Sequence, residues 1–300
     1  MQLAGYRTRV LRAGPAGGEV AGDGPGPGEP AGDEPPFLLL HGWGDSADSW
    51  RPAMIRLARA GVASVAVDFP GHGAADELRP GELVPQADAV TEAMLRRYGG
   101  ERTLVAGYSL GGFTWLREAQ RPGTTVAGVV ALAPPGIGRP WWYAPIERGA
   151  PIGRLALRVP WPLPGRVVSG VAAELYRRIA FASPAGIDPE ALGVYAGHWP
   201  SRGVGARRLR ALLDLLTELG TTSTDLDAVP VPVLLVWGDR DRIVPLTPAQ
   251  RACGERWLEV IPDCGHVAPI EATDRIVELL LRFRERVGGE AEPSVDAEPA

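Results

Sequence analysis

The segment from Gly107 to Gly111, Gly-Tyr-Ser-Leu-Gly, has the residue types and spacing of a serine nucleophile held on a tight turn. An apolar run, Thr103 to Ala106, leads into this segment, and a helical pattern from Gly112 to Gln120 follows it. On such a strand-to-helix turn the serine hydroxyl is forced outward, and the flanking glycines let the strand and the helix pack without a Cβ collision. We therefore predict that Ser109 is a nucleophile.

A serine hydroxyl is a weak nucleophile at neutral pH and needs a base within hydrogen-bonding reach. His266 is the candidate base, because it follows an apolar run, Leu258 to Ile261, at the strand-end edge where open α/β sheets place their chemistry. The base in turn needs a carboxylate that fixes its tautomer and stabilises the imidazolium. Two aspartates compete for this role, Asp239 and Asp241.

Four motifs stand in a fixed order along the chain: a His-Gly segment, the serine turn, an acidic segment and a Gly-His pair. They are His41 to Gly44, Gly107 to Gly111, Gly238 to Pro245, and Gly265-His266. With these motifs and the segment Asp68 to Gly73, the chain from about Tyr6 to Val287 resembles the α/β-hydrolase superfamily, specifically its branch of lidded serine esterases and C–C hydrolases. The resemblance implies an α/β fold with a helical cap inserted after the sixth strand.

The resemblance also assigns roles to individual residues. In the family pattern the second acid of the acidic segment completes the triad, which implies Asp241, while Asp239 orders the loop. It implies an oxyanion hole made by the backbone N–H groups of Trp43 and Leu110. Leu110 also starts a predicted helix, whose free N–H groups and dipole favour negative charge.

Three further titratable residues lie in or beside these motifs. His41 and His72 are expected to shape two loops by hydrogen bonding, because neither fits the order of nucleophile, acid and base. Cys264 is expected to be a small packing residue, since a catalytic cysteine normally meets its histidine across the fold.

Alternating apolar runs and helical patterns independently predict a doubly wound, mostly parallel sheet. The predicted strands are Tyr6 to Leu11, Phe37 to Leu40, Ser64 to Val67, Thr103 to Ala106, Val126 to Leu132, Val231 to Trp237 and Trp257 to Ile261; helices are expected at Ala47 to Ala60 and Ile270 to Val287. The first two strands are expected to be neighbours in one sheet.

The expected hydrolase core comprises residues 1–133 and 228–287, and the expected helical lid comprises 134–227. Residues 13–36 hold eight glycines and six prolines, which predicts a mobile loop, and 288–300 read as a disordered tail.

Composition excludes several classes of function. The net charge of −5 and the pI near 5.5 argue against a nucleic-acid partner. Neither a signal peptide nor an apolar run of about 18 residues is present, so we expect a cytoplasmic protein without stable membrane insertion. The two cysteines and four histidines lack metal-ligand spacing, so we predict no metal and no other cofactor. The oligomeric state is left open.

The lid segment is aromatic and basic. We expect Trp141, Trp142, Trp161 and Trp199 to line an apolar substrate pocket. Residues 134–210 hold eleven arginines and four acidic residues, a local charge of +7. This excess indicates either a solvated face or weak attraction of an anionic substrate, partner or lipid surface, the last through a segment such as Arg154 to Trp161.

Together these features predict a serine hydrolase that cleaves an ester, thioester or lactone with an apolar acyl group through an acyl-serine intermediate. Two alternatives use the same triad: hydrolysis of a C–C bond, and cofactor-free perhydrolysis with peroxide. A third alternative is a catalytically silent ligand-binding protein on the same scaffold. Haloalkane dehalogenase and epoxide hydrolase chemistry are disfavoured, because they need a carboxylate where this chain has Ser109.

Overall fold

The computed structural model of the chain describes residues 1–15, 20, 35–137, 143–145, 148–149, 165–183, 187, 202–221, 224–248, 251 and 258–289. The four lid tryptophans, the segment 154–161 and most of the predicted loop and tail lie outside these described residues. Within the described ranges, no helix combines the length and the apolar character that a membrane span requires.

Seven strands form one sheet in the order β3-β5-β4-β6-β7-β8-β9, and only β3 runs antiparallel to its neighbour. The strands are β1 (Gln2–Leu3), β2 (Tyr6–Arg7), β3 (Val10–Ala13), β4 (Phe37–Leu40), β5 (Ser64–Val67), β6 (Thr103–Tyr108), β7 (Val126–Leu132), β8 (Val233–Gly238) and β9 (Leu258–Ile261). The remaining two, β1 and β2, pair with each other in a separate two-stranded sheet. The predicted α/β fold with a mostly parallel sheet is confirmed.

The main helices of the described chain lie between β4 and β8 and after β9. They are α1 (Arg51–Arg59), α2 (Leu83–Tyr98), α3 (Leu110–Ala119), α4 (Gly165–Ala180), α5 (Arg202–Thr221), α6 (Ala268–Glu271) and α7 (Thr273–Gly289). A single 3-10 turn, Ala47–Trp50, precedes α1.

The central strands are mainly apolar because helices cover both faces of the sheet. Every residue of β4, β5 and β6 is buried. Alternate residues face opposite cores: Leu39 and Ala106 pack in the core that contains α1 and α7, whereas Leu38, Leu40 and Val105 pack in the core that contains α2 and α3. This arrangement is the doubly wound fold, and it brings the ends of the parallel strands to one edge.

Several details of the predicted organisation are wrong. The strand predicted from Tyr6 to Leu11 is two strands, since β2 turns back onto β1 around Gly5 at φ +78° and only β3 joins the large sheet. β5 lies between β3 and β4, so these two are not neighbours. Ala13 belongs to β3 and not to the loop, and α7 continues through residues 288–289, which were predicted to be tail.

Between β7 and β8 the chain leaves the sheet. The insertion was predicted to follow the sixth strand. It follows β7, which is the fifth strand of the seven-stranded sheet in chain order, because β1 and β2 pair outside that sheet. The described parts of the insertion include α4 and α5, which pack on each other, and α5 also packs on α2. That this insertion is a lid, with the predicted domain boundaries, stays a prediction.

Candidate active site

Ser109 lies on a strained turn between β6 and α3. Its backbone adopts φ 51° and ψ −121°, a conformation that non-glycine residues rarely adopt, and its side chain is half-buried. Its N–H donates to the Leu132 carbonyl at 2.8 Å. The turn is tight, since a Cβ on Gly107 would lie 2.4 Å from the carbonyl carbon of Gly111, and one on Gly111 would lie 2.3 Å from the Leu40 oxygen. Both glycines are therefore required by close backbone approach.

Asp241 and His266 form a buried pair. Asp241 Oδ2 lies 2.7 Å from His266 Nδ1, and both residues are 5% exposed. The other carboxylate oxygen, Oδ1, accepts the N–H groups of Ile243 and Val244, each at 2.8 Å. Asp239 is exposed and does not occupy this position. The structure therefore brings Asp241, rather than Asp239, to the predicted base.

The sheet explains why these residues lie at the same edge of the fold. Ser109 follows β6, Asp241 follows β8 and His266 follows β9, and these three parallel strands lie within the run β6-β7-β8-β9 of the sheet. Gly238 allows the acidic loop to pack against the histidine loop, since a Cβ there would lie 2.3 Å from the Cys264 oxygen. The Tyr108 ring, next to Ser109, is 6.3 Å from the His266 ring between centroids.

Both residues of the predicted oxyanion hole border the serine turn. Leu110 is the first residue of α3, where the N–H groups have no partner within the helix. A Cβ on Gly42 would lie 3.0 Å from the Ser109 Cβ, so the loop that carries Trp43 passes close to the nucleophile. The half-buried Trp43 packs edge-on against His72, with ring centroids 4.5 Å apart.

His41 shapes a loop, as expected. Its Nε2 accepts the Phe69 N–H at 2.9 Å, so Nδ1 carries the proton and donates to the Gly42 carbonyl at 2.7 Å. His72 Nδ1 lies 2.9 Å from the Pro70 carbonyl oxygen and serves the neighbouring loop in the same way.

Asp68 ties these two loops together. Its buried carboxylate accepts the N–H groups of Ala47, at 2.8 Å, and Ala74, at 2.9 Å. The Arg9 guanidinium pairs with the same carboxylate at 2.9 Å and with Asp48 at 2.6 Å. This network fixes the approach of the Trp43 loop toward Ser109.

A second buried carboxylate, Asp45, was not found from the sequence. The Tyr108 hydroxyl donates to its Oδ2, the Tyr176 hydroxyl lies 3.4 Å from the same oxygen, and the Ser46 N–H donates to Oδ1 at 2.7 Å. Burial raises the pKa of Asp45 to about 6, against the lowering effect of these donors. Burial also raises the pKa of Tyr108 well above its ordinary value, so its phenol remains a donor. Because Tyr176 belongs to α4, this cluster joins the insertion to the core beside Ser109.

Cys264 is a packing residue, as expected. It is 2% exposed, and burial raises the pKa of its thiol well above the ordinary range, which disfavours the thiolate that nucleophilic attack requires. Its Sγ lies 3.7 Å from the Gly265 carbonyl. In the described part of the chain, no three histidine, cysteine, aspartate or glutamate side chains are grouped as metal ligands.

Comparison with known proteins gives consistent matches. The sequence model of the Alpha/beta hydrolase family matches residues 37–279. The dihydrolipoyllysine-residue acetyltransferase component of the acetoin cleaving system of Pseudomonas putida is 26% identical over 261 residues, which cover 83% of this chain and 63% of that protein's length. The pimeloyl-[acyl-carrier protein] methyl ester esterase of Photorhabdus laumondii is 38% identical over 96 residues, 32% of this chain and 34% of that enzyme.

Solved structures share the fold. The structure of a thermophilic esterase from Thermogutta terrifontis superposes with a TM-score of 0.67 at 18% identity, covering 94% of each chain. At this identity the likeness concerns the fold alone.

Proposed function

Because the chain belongs to the alpha/beta hydrolase family, we propose that it is a serine hydrolase that cleaves an ester, thioester or lactone with an apolar acyl group. The observation that carries this proposal is the buried Asp241–His266 pair, 2.7 Å apart, at the sheet edge that also presents Ser109 on its strained turn. An esterase among the matched relatives supports the reaction class.

The proposed reaction proceeds in two halves. His266 takes the proton of the Ser109 hydroxyl as the oxygen attacks the acyl carbon, and it then delivers this proton to the leaving alcohol or thiol. Asp241 holds the imidazole in the tautomer that receives the proton on Nε2, because its Oδ2 faces Nδ1. Water, activated by the same imidazole, then cleaves the acyl-Ser109 ester and releases the acid.

The backbone N–H groups of Trp43 and Leu110 are proposed to stabilise the oxyanion of both tetrahedral intermediates. Their positions support this role, since one lies on the loop against Ser109 and the other at the N-terminus of α3. Fixed backbone donors stabilise developing charge without reorganisation, and losing one such donor typically costs about 100- to 1000-fold in kcat.

The test is hydrolysis of a series of p-nitrophenyl esters from acetate to palmitate by the full chain and by Ser109→Ala. We expect turnover that requires Ser109, with an optimal chain length set by the acyl pocket. Equal rates for the two proteins would contradict the proposal. If neither protein hydrolyses any ester, a fluorophosphonate probe distinguishes a C–C hydrolase, whose Ser109 would be labelled, from a silent binding protein, which would not react.

We also propose that the basic insertion makes weak contact with an anionic lipid surface. Four of the six large hydrophobic side chains that are exposed in the described residues lie along one face of α4. They follow a four-residue spacing and are Val167, Val171, Leu175 and Ile179, with exposures of 41%, 63%, 57% and 39%. The Arg178 side chain beside this stripe is 69% exposed and pairs with Glu174 on the same helix. An apolar helical face flanked by arginine, in a segment of charge +7, suits an anionic interface.

Co-sedimentation with phosphatidylglycerol vesicles at low salt tests the lipid proposal. Val171→Asp should weaken binding, whereas the same change at exposed Val260, on β9, should not. No binding at low salt, or equal binding by both variants, would overturn it.

A further inference from the structure

Three segments meet at the backbone of the histidine loop: the loop itself, the C-terminal end of α4 and the short helix α6. The His266 N–H donates to the Ala180 carbonyl at 2.7 Å. The Gly265 N–H donates to Glu271 Oε1 at 2.9 Å, and the Ala182 N–H donates to Glu271 Oε2 at 2.7 Å. One carboxylate therefore bridges the loop of the proposed base to the insertion.

These hydrogen bonds and the chain segments between them form a closed circuit, so we expect a displacement of one segment to displace the other two. Glu271 holds Gly265 and Ala182, and the chain between Ala180 and Ala182 leads back to the N–H of His266. The atoms around Gly265 are closely packed, since a Cβ there would lie 2.5 Å from the Ala180 oxygen and 2.6 Å from Glu271 Oε1.

A carboxylate suits this position because each of its two oxygens accepts one backbone N–H. Loss of the acceptor would leave one or both N–H groups unsatisfied, which is unfavourable for groups that are partly shielded from water. Burial raises the pKa of Glu271 above its ordinary value, while the two N–H donors oppose that rise.

The end of α4 has further anchors in the site. The Arg242 side chain, on the acidic loop, donates to the Arg178 carbonyl at 2.6 Å. Ala180 and Phe181 are buried, with exposures of 0% and 2%. The loops that carry the acid and the base are thus both attached to the same end of the same helix.

We infer that Glu271 is a positioning residue: through the Gly265 N–H it holds the His266 imidazole against Asp241, and through the Ala182 N–H it fixes the end of α4 over the same site. The catalytic part rests on the proposed function, because it requires that His266 is the base. In the hydrogen bonds described above, Glu271 contacts only backbone N–H groups, that of Gly265 on the histidine loop and that of Ala182 on the insertion.

The sharpest variant is Glu271→Gln, which keeps the length of the side chain but replaces one acceptor oxygen by an amide NH2. One of the two backbone N–H groups then loses its acceptor. We expect kcat for a short acyl ester to fall by about 10- to 100-fold, because a displacement of about 1 Å in a catalytic group has an effect of that order. KM should change by less than about threefold. Labelling of Ser109 by a small fluorophosphonate should slow by the same factor as kcat.

Two controls separate positioning from charge and from stability. Glu271→Asp keeps the negative charge but is too short to reach both N–H groups, so it should behave like Glu271→Gln. Glu118→Gln removes another buried glutamate, which lies on α3 and pairs with Arg121 just beyond the end of that helix, and it should lower stability without slowing the labelling.

Hydrogen exchange gives a readout independent of activity. In Glu271→Gln, amide exchange should accelerate in peptides that contain Gly265, His266 and Ala182, while β6 should keep its protection. A labelling rate within threefold of the unmodified chain, a full rate in Glu271→Asp, or unchanged exchange at the loop would each overturn the inference. Failure of the proposed function is distinguishable, since it would appear as Ser109-independent hydrolysis or as no ester hydrolysis at all, while the exchange result still reports on the Glu271 contacts.

Discussion

At the residue scale, Asp241 divides its two oxygens between two partners. Oδ1 accepts two backbone N–H groups of its own loop and Oδ2 faces His266 Nδ1. The carboxylate is thereby held rigidly, with one oxygen directed at the imidazole. Asp239, two residues earlier, is exposed, and its N–H donates to the Ile261 carbonyl at 3.1 Å, a backbone hydrogen bond that joins the ends of β8 and β9.

This difference predicts unequal effects of the same substitution. Asp241→Asn should reduce kcat by about 10⁴-fold, since the amide favours the wrong imidazole tautomer. Asp239→Asn should reduce it by less than about tenfold. The measurement is steady-state hydrolysis of a p-nitrophenyl ester by both variants, with melting temperatures as the control for folding. Equal losses, or a larger loss for Asp239→Asn, would reassign the acid.

At the element scale, the connection between α4 and the core is polar and buried. Tyr176 on α4 and Tyr108 at the end of β6 share one acceptor, the Asp45 carboxylate. Their aromatic rings add apolar contact, since Tyr176 also packs edge-on against Phe181 with centroids 5.6 Å apart. The insertion is therefore joined to the loop after β4 through a titratable group that the proposed reaction does not use.

The raised pKa of Asp45 predicts a dependence of stability on pH. Between its unfolded value of 3.8 and its folded value of about 6, the folded state binds more protons than the unfolded state. Stability from this group is therefore present at low pH and is lost as the pH rises through about 6. The difference between the two values corresponds to about 3 kcal/mol as an upper bound.

Denaturant unfolding at pH 4.5 to 8 measures this effect. The free energy of unfolding of the unmodified chain, minus that of Asp45→Asn, should fall as the pH rises, because only the unmodified chain titrates at this position. Asp239→Asn carries the same substitution at an exposed site and should show a smaller change. A difference that is constant or rises with pH would contradict the predicted sign.

The limits of prediction from sequence also follow from the elements. Strands β4, β5 and β7 begin and end where predicted, because continuous burial makes them continuous apolar runs. Helix α2 is absent from the predicted elements, since its buried face includes Ala87 and Thr91, which weaken the helical period.

The predicted Asp241–His266 pairing could be read from ordered motifs, whereas the role inferred for Glu271 could not. Its partner Ala182 is 89 residues away, on a segment whose position depends on how the insertion folds. Similarly, nothing in the local pattern around Asp45 indicates that Tyr176 lies beside it.

At the scale of the whole molecule, charge is unevenly distributed along the chain. Residues 134–210 carry +7 while the whole chain carries −5, so the remainder carries −12. The arginine-rich segment 134–210 belongs to an insertion that carries +3 over residues 134–227, and its field attracts anions to the segment that packs, through α4, beside the proposed active site. This field acts on association rates and not on the chemical step.

Ionic strength should therefore separate anionic from neutral substrates. For an ester whose acyl chain ends in a carboxylate, kcat/KM should fall several-fold as salt rises from about 0.01 to 0.5 M, because the Debye length shrinks from about 30 Å to a few ångströms. For the neutral methyl-capped analogue it should change little, and kcat should be insensitive to salt for both. Replacing Arg178, which is exposed on α4, by Gln should reduce the salt dependence for the anionic ester only. The same salt dependence for both esters would show that the basic insertion does not steer the substrate and that its charge only solvates the surface.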